Sequence, residues 1–276
     1  MIQRLGGLKT MSVDIKALLE AGQLDAAIEA MNAEVRARPT DIDARATLVE
    51  LLCYGGNLER ADKLLDAISS LDPSTAIGIA LFRQLVRAEQ ARGQFYTEGR
   101  VPEFLSKPDA LCELEMRAAV MIRHGDDGAA LKLIEERDAL RPPVTGSTDG
   151  AAFDDFRDLD DVCASHLEVL TATGKYYWVP LTSVTRIEFR PPERRRDLLW
   201  RRANLCVTEG PDGEVYLPAI YWSKDSTAEH RLGYATDFSG GEDAPISGVG
   251  LRSFLVGDDS RTILEMGAVK FGPAEA

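Results

Sequence analysis

Residues 22–39, GQLDAAIEAMNAEVRARP, and residues 56–73, GNLERADKLLDAISSLDP, carry one pattern of small and apolar residues twice. Each segment starts with Gly, has Leu two positions later and Ala five positions later, and ends with Pro. The second copy follows the first by 34 residues. We interpret the Gly as the end of one helix, the Ala as the close contact between paired helices, and the Pro as the end of the second helix.

Apolar residues keep a helical spacing from about residue 15 to about residue 140, with breaks at Gly and Pro. Gly125, Ala130 and Pro142 form a later copy of the pattern, and residues 74–97 predict one long helix. A period of 34 residues is typical of tetratricopeptide repeats. We therefore predict a tetratricopeptide-like helical repeat domain over residues 11–141, stacked as a short solenoid.

A solenoid of this kind has a concave face that suits a peptide or a partner helix. The alternative is that the repeats only support the second half of the chain. Architecture favours binding, because an array of repeats without a partner has no obvious use.

Residues 142–153, PPVTGSTDGAAF, are rich in turn-forming residues and mark a linker. After the linker we predict a small domain over residues 152–272, with a leading helix at 158–173 and six short strands in a mainly antiparallel β-sheet or barrel. Asp212–Gly213 and residues 257–259 predict the turns of two hairpins. The fold class predicted for the whole chain is α+β.

The composition excludes several classes of protein. Asp and Glu total 45 against 32 Lys and Arg, a net charge of −13, so a broad basic face for nucleic acid is not expected. The apolar stretches are too short to span a membrane, residues 1–12 lack a secretory signal, and Met11 is the expected start of the folded chain. The four cysteines lack metal-binding spacing and are typical of reduced thiols. We expect a cytoplasmic protein that binds neither nucleic acid nor a membrane.

The sequence offers few residues for catalysis or metal binding. It has three histidines, and no motif pairs a nucleophile with a base. Cys163 and His166 lie one helical turn apart, but without a second pair we interpret them as a half-buried thiol and an exposed imidazole. The acidic residues at 154–161 are interpreted as a solvated helix start. We predict no enzyme activity, no metal and no cofactor.

One basic stretch opposes the acidic balance. Seven arginines and three acidic residues lie between Arg186 and Arg202, a local charge of +4. Three interpretations stay open: the arginines are solvated or pair with the acidic residues at 154–161, they contact an acidic protein partner, or they contact phosphate. Nucleic acid is the weakest of these, because the remaining acidic surface would repel it. An alternative function is therefore a generic repeat scaffold that binds an acidic protein through residues 186–202.

Four segments carry a resemblance to a known family. They are LLEAGQLDAAIEAMNAEVRARPTD (18–41), LFRQLVRAEQARGQFYTEGRVPEF (81–104), GKYYWVPLTSVTRIEFRPPERRRDLLW (174–200) and YLPAIYW (216–222). With these segments the chain resembles the ImpE family, also called SciE or TagJ, accessory proteins of bacterial type VI secretion systems. The resemblance implies a cytoplasmic adaptor without catalytic activity. It also implies binding to an amino-terminal helix of the small contractile-sheath subunit, and a link to the ATPase that disassembles contracted sheaths.

Signature positions of this family fall in the long helix, in the loop after it, and in the YYWVP and RDLLW segments. We expect Tyr176–Trp178 to lie in the core of the β domain. After LPAIY the family usually continues with a Pro-Gly-Ser turn, whereas this chain has Trp222, Ser223 and Lys224. The candidate partner-binding residues are Arg83, Arg87, Arg92, Tyr96, Arg100, Arg194, Arg195, Arg196, Asp197 and Trp200.

Overall fold

The amino-terminal half of the chain is helical, as its apolar spacing predicts. The computed structural model describes residues 14–208 and 210–272, so the expected start at Met11 lies outside the described residues. The helices of this half are α1 (Ile15–Glu20), α2 (Leu24–Ala37), α3 (Ile42–Tyr54), α4 (Leu58–Leu71), α5 (Ala76–Glu98), α6 (Ala110–His124) and α7 (Asp127–Leu140).

The repeated pattern places glycines at turns and alanines at helix contacts. Gly22 and Gly56 follow the first helix of each pair with φ of +70° and +74°, in the left-handed region that favours glycine. Ala27 and Ala61, on the second helices, are completely buried. A larger side chain at either position would push the paired helices apart, so these alanines allow the helices to pack closely. The predicted pairs α1–α2 and α3–α4 are confirmed.

The long helix and the later copy are confirmed as well. After a 3-10 turn at Pro73–Thr75, α5 runs without a break to its left-handed cap at Gly99. Gly125 joins α6 to α7 with φ of +74°, and Ala130 on α7 is completely buried. The helical half therefore consists of two repeat pairs, one long helix and a final helix pair.

The second half consists mainly of short antiparallel strands, which confirms the α+β class. The largest sheet has the strand order β2-β1-β13-β6-β7-β8-β4-β5, β9 pairs with β10, and β3 joins β11 and β12 in a third sheet. The only α-helix among the described residues of this half is α8 (Ala228–Arg231). The strands are β1 (Gly146–Thr148), β2 (Ala151–Phe153), β3 (Phe156–Asp158), β4 (His166–Leu170), β5 (Tyr176–Pro180), β6 (Val184–Phe189), β7 (Trp200–Val207), β8 (Gly213–Pro218), β9 (Thr236–Ser239), β10 (Ser247–Gly250), β11 (Ser253–Val256), β12 (Asp259–Thr262) and β13 (Ala268–Phe271).

The leading helix predicted at residues 158–173 is wrong. This segment holds the end of β3, a 3-10 turn at Asp161–Cys163, and β4, which pairs with β5 and β8. Every residue of β4 is buried, although polar His166 and Glu168 alternate with apolar Leu167 and Val169 along it. The polar side chains bond to buried groups of the helical half instead of facing water. The two predicted hairpins, β7–β8 and β11–β12, are confirmed.

The largest sheet lies between the helices and the three-stranded sheet. Trp178 and Trp200 point to the helices and belong to the same core as Leu48 of α3. On the other face, Val179 joins a second core, which includes Phe254 of the small sheet. The helical half therefore shares its main core with the sheet that follows it, and the division into domains at residues 11–141 and 152–272 stays a prediction.

The loop after α5 also joins the two halves. The backbone N–H of Glu103 donates to the carbonyl of Tyr176 (2.9 Å), and the N–H of Trp178 donates to the carbonyl of Glu103 (3.0 Å). These bonds cover the outer edge of β5, which would otherwise expose unpaired backbone groups. In the described part of the chain, no helix combines the length and the hydropathy needed to cross a membrane.

Candidate protein-binding groove

A buried ionic network joins α5 to the largest sheet. The Nε of Arg92 donates to both carboxylate oxygens of Glu168, at 3.0 Å each, and its Nη1 donates to Glu89 at 2.9 Å. Trp200 donates from its indole nitrogen to Glu89 (3.0 Å). Arg92 is 3% exposed and Trp200 1%, so both candidate residues lie inside the protein.

The same network continues into the three-stranded sheet. Arg252 donates to Glu168 and to Asp158, the latter at 2.7 Å. Tyr221 also donates to Asp158 (2.7 Å). Although burial raises the pKa of Glu168, the guanidinium groups of Arg92 and Arg252 hold it well below its usual range. The charged groups of the network thus pair with one another inside the protein, which is typical of a structural ion network rather than of a catalytic centre.

Tyr96 lies where this network approaches the surface. It is half-buried, and its hydroxyl donates to Glu168 at 3.1 Å. Its ring stacks on Trp222, with centroids 5.0 Å apart and ring planes 3° apart. Trp222, where the sequence departs from the pattern of the family it resembles, thus packs against α5.

One group of three potential metal ligands occurs among the described residues. Cys112, Glu115 and His166 are buried, and their ligand atoms lie within 4.8 Å of one another. Arg137 and the N–H of Ser165 donate to one oxygen of Glu115, at 2.7 and 2.8 Å, and His166 donates to the other at 2.7 Å. Burial also raises the pKa of the Cys112 thiol, which favours its protonated form. These contacts do not fit a cation, and we assign the group to a buried ion pair between α6, α7 and β4.

The interpretation of Cys163 and His166 as half-buried thiol and exposed imidazole is wrong, because both side chains are buried. His166 stacks on Trp178 with centroids 3.6 Å apart, and Cys163 lies 3.5 Å from the Tyr96 hydroxyl. The helix expected to place them one turn apart is absent here, so each packs in the shared interior through a different element.

The interpretation of the acidic stretch at 154–161 as a solvated helix start is also wrong. Asp155 pairs with Arg141 (2.8 Å), and the completely buried Asp158 pairs with Arg252. Asp160 accepts from the N–H of Gly248 at 2.9 Å. Except for the exposed Asp154, these acidic residues are buried or half-buried, and the arginines that pair with Asp155 and Asp158 lie outside residues 186–202.

The arginines of residues 186–202 have several different environments. Arg186 pairs with Glu188 (3.1 Å), and Arg202 lies near Glu193 (3.5 Å). Arg196 lies over the ring of Phe82, 4.8 Å from its centroid, and Arg201 is buried. The candidates Arg194 and Arg195 have no ion pair among the residues that the structure describes, and they remain available to a partner.

Arg194 and Arg195 line a groove between the first helices and the β half. The groove has a volume of about 910 Å³. The start of α1 and the inner side of α3 form its other wall, and Asp197, which is itself buried, lies beneath the arginine loop. The lining residues are Asp14, Ile15, Lys16, Met31, Thr47, Glu50, Arg194 and Arg195. The sequence therefore identified the arginine wall of this groove and missed Thr47 and Glu50, which only the helical spacing of α3 could have placed on its inner face.

The other candidate residues on α5 lie away from this groove. Arg83 forms ion pairs with Asp62 and Asp66 of α4, at 2.7 and 2.6 Å. Arg87 is exposed, and Arg100, also exposed, donates to the side-chain oxygen of Gln94 (2.8 Å). The ten candidate residues thus do not form one site. Three are buried, two line the groove, Arg196 packs on Phe82, and the other four lie on α5 or in the loop after it.

Three comparisons with known proteins agree with this architecture. Residues 150–270 match the family model of the ImpE protein, and residues 18–85 match a tetratricopeptide repeat model. The type VI secretion system accessory component TagJ of Pseudomonas aeruginosa is 28% identical over 280 residues, which cover 99% of this chain and 97% of that protein. The crystal structure of a Vibrio parahaemolyticus protein superposes with a TM-score of 0.88 at 27% identity, covering 94% of this chain and 97% of that chain. Together with the shared fold, these matches support membership of the chain in the ImpE family.

Proposed function

We propose that this chain is a non-catalytic adaptor of a bacterial type VI secretion system, and that its groove holds an amino-terminal helix of the small contractile-sheath subunit. The observation that carries the proposal is the similarity to TagJ over nearly the full length of both chains. The groove between α1, α3 and Arg194–Arg195 supports it, because helical repeats commonly bind a helix or peptide on their inner face.

A non-catalytic role agrees with the chemistry of the interior. Arg92, Glu168 and Arg252 are buried and joined by ion pairs, and in the described part of the chain none of these three lines the groove. A cytoplasmic location follows from the proposed partner, since a contractile sheath is assembled from cytoplasmic subunits.

The β half is proposed as a second contact surface, which links the sheath subunit to the ATPase that recycles sheaths. The shared core supports this arrangement, because it holds the groove and the β half in one fixed geometry. An adaptor that positions two partners needs such rigidity.

Co-purification of the full chain with the small sheath subunit of the same bacterium tests this function. The intact subunit should be retained, and a subunit that lacks its amino-terminal helix should not. Retention of both forms, or of neither, would overturn the proposed mode of binding. Addition of the sheath ATPase to the retained complex tests the second contact.

A further inference from the structure

The backbone of the arginine wall is held rigidly by groups of its own chain. The carboxylate of Asp197 accepts from the N–H groups of Glu193 and Arg194, at 2.9 and 3.0 Å. The hydroxyl of Tyr54 on α3 donates to the carbonyl of Arg195 (2.7 Å). The two guanidinium groups therefore extend from a fixed loop, and a partner that pairs with them does not have to order that loop first.

The opposite wall carries a negative charge without a close partner. Glu50 on α3 is half-buried and has no hydrogen bond or ion pair among the described residues. Burial raises its pKa, and the positive charges of Arg196, Arg195 and Arg194 only partly oppose this effect. A cation placed over Glu50 would compensate its carboxylate for the hydration that burial has removed.

The other charged groups of the groove are already engaged. Asp14 accepts from the N–H groups of Lys16 and Ala17 as the amino-terminal cap of α1, at 3.0 and 3.2 Å. The ammonium group of Lys16 lies 3.6 Å from Glu20. Among the described residues that line the groove, Arg194, Arg195 and Glu50 are thus the charged groups whose side chains have no hydrogen bond or ion pair within the chain.

We propose that the groove selects an amphipathic helix that places acidic side chains against Arg194 and Arg195 and a basic side chain over Glu50. This inference rests on the proposed function of the groove and adds to it the charge pattern of the bound helix. The pattern matters more than the total charge, because the chain as a whole carries −13 and repels an acidic peptide at long range. On a helix, side chains three or four positions apart lie on one face, so a single helix can present both signs in the required order.

Two designed helical peptides of identical composition test this selection without the sheath subunit. The matched peptide carries acidic residues at one end of its polar face and a lysine in the middle, and the swapped peptide exchanges their positions. Fluorescence anisotropy with the full chain should give about tenfold tighter binding of the matched peptide at low salt, and a smaller ratio at high salt. The double variant Arg194→Glu/Arg195→Glu should reverse the preference.

The control variant is Arg186→Glu/Arg190→Glu, which changes the net charge equally on exposed arginines outside the groove. It should leave the preference for the matched peptide unchanged.

A double-mutant cycle combines Glu50→Gln with replacement of the peptide lysine by glutamine. The effects of the two changes on the dissociation constant should be coupled by a factor of about three or more. Equal binding of both peptides, binding of neither, or an equal effect of the control variant would overturn the inference. If the chain retains the sheath subunit but does not prefer the matched peptide, only the inference is contradicted. If the chain prefers the matched peptide but does not retain the sheath subunit, only the proposed function is contradicted.

Discussion

Arg92 on α5 and Glu168 on β4 form a buried ion pair between residues 76 positions apart in the chain, with both carboxylate oxygens 3.0 Å from the arginine Nε. The pair lies in the core that the helices share with the largest sheet. Removal of one partner leaves a buried charge with less compensation, which typically costs about 3–5 kcal/mol. We therefore expect Arg92→Ala to lower the free energy of unfolding by about 3 kcal/mol, measured by urea denaturation.

The matched control for this variant is Arg87→Ala on the same helix. Arg87 is exposed and forms no ion pair among the described residues, so its replacement should change the free energy of unfolding by less than about 0.5 kcal/mol. A similar small effect for Arg92→Ala would mean that the ion pair does not hold the two halves together.

A second prediction concerns the fragment of residues 11–141. Without the sheet it exposes the side of α5 that packs on Trp178 and Trp200, and it leaves Arg92 and Glu89 without their partners. We expect the fragment to associate or to lack a cooperative unfolding transition by circular dichroism and size-exclusion chromatography, whereas the full chain unfolds cooperatively. A monomeric fragment with a sharp transition would show that the boundary at 141–152 separates independent domains.

A third prediction concerns the left-handed glycine of the repeat. An alanine at Gly56 would meet no atom within 4 Å, so its cost comes from the φ of +74° alone. We expect Gly56→Ala to destabilise the chain by about 1 kcal/mol. Gly128, in the first turn of α7, also has open space around it but an ordinary φ, and Gly128→Ala should stabilise the chain by up to about 1 kcal/mol. The melting temperature should therefore fall for Gly56→Ala and rise for Gly128→Ala. A shift of both melting temperatures in the same direction would contradict the left-handed conformation assigned to Gly56.

A fourth prediction uses the pH dependence of stability. Burial and the neighbouring Asp158 raise the pKa of Asp160 from 3.8 to about 7. Since the unfolded state then loses its proton at lower pH than the folded state, this group reduces stability as the pH rises from about 4 to about 7. The free energy of unfolding of the native chain relative to Asp160→Asn should therefore be lower at pH 8 than at pH 5, measured by chemical denaturation. If the free energy of unfolding of the native chain relative to Asp160→Asn stays constant or rises from pH 5 to pH 8, the raised pKa of Asp160 is contradicted.

The helical half was predictable from sequence because its information is local. Gly56 ends one helix and Ala61 marks the contact of the next, and both signals lie within a single repeat of 34 residues. Strand β4 was not predictable in the same way. Both of its faces are buried by elements distant in the chain, and its alternation of polar and apolar residues covers only His166 to Val169. The interpretation of the acidic residues before it as a helix start was wrong.

The groove was predictable in part. The charge of the stretch at 186–202 drew attention to Arg194 and Arg195, and the family resemblance drew attention to Arg92, Asp197 and Trp200. Neither signal distinguishes a residue that contacts a partner from one that supports the fold, because that depends on which elements pack against it. Asp197 shows the difference: it is buried and acts by holding the backbone from which Arg194 extends.

Isothermal titration of the full chain with the small sheath subunit tests the central claim most directly, because it reports binding and its dependence on the groove in one measurement. We expect saturable binding by the native chain and by Arg186→Glu/Arg190→Glu, and at least about tenfold weaker binding by Arg194→Glu/Arg195→Glu. Absence of binding, or equal affinity for all three chains, would contradict the assignment of the groove as the site that holds the sheath helix.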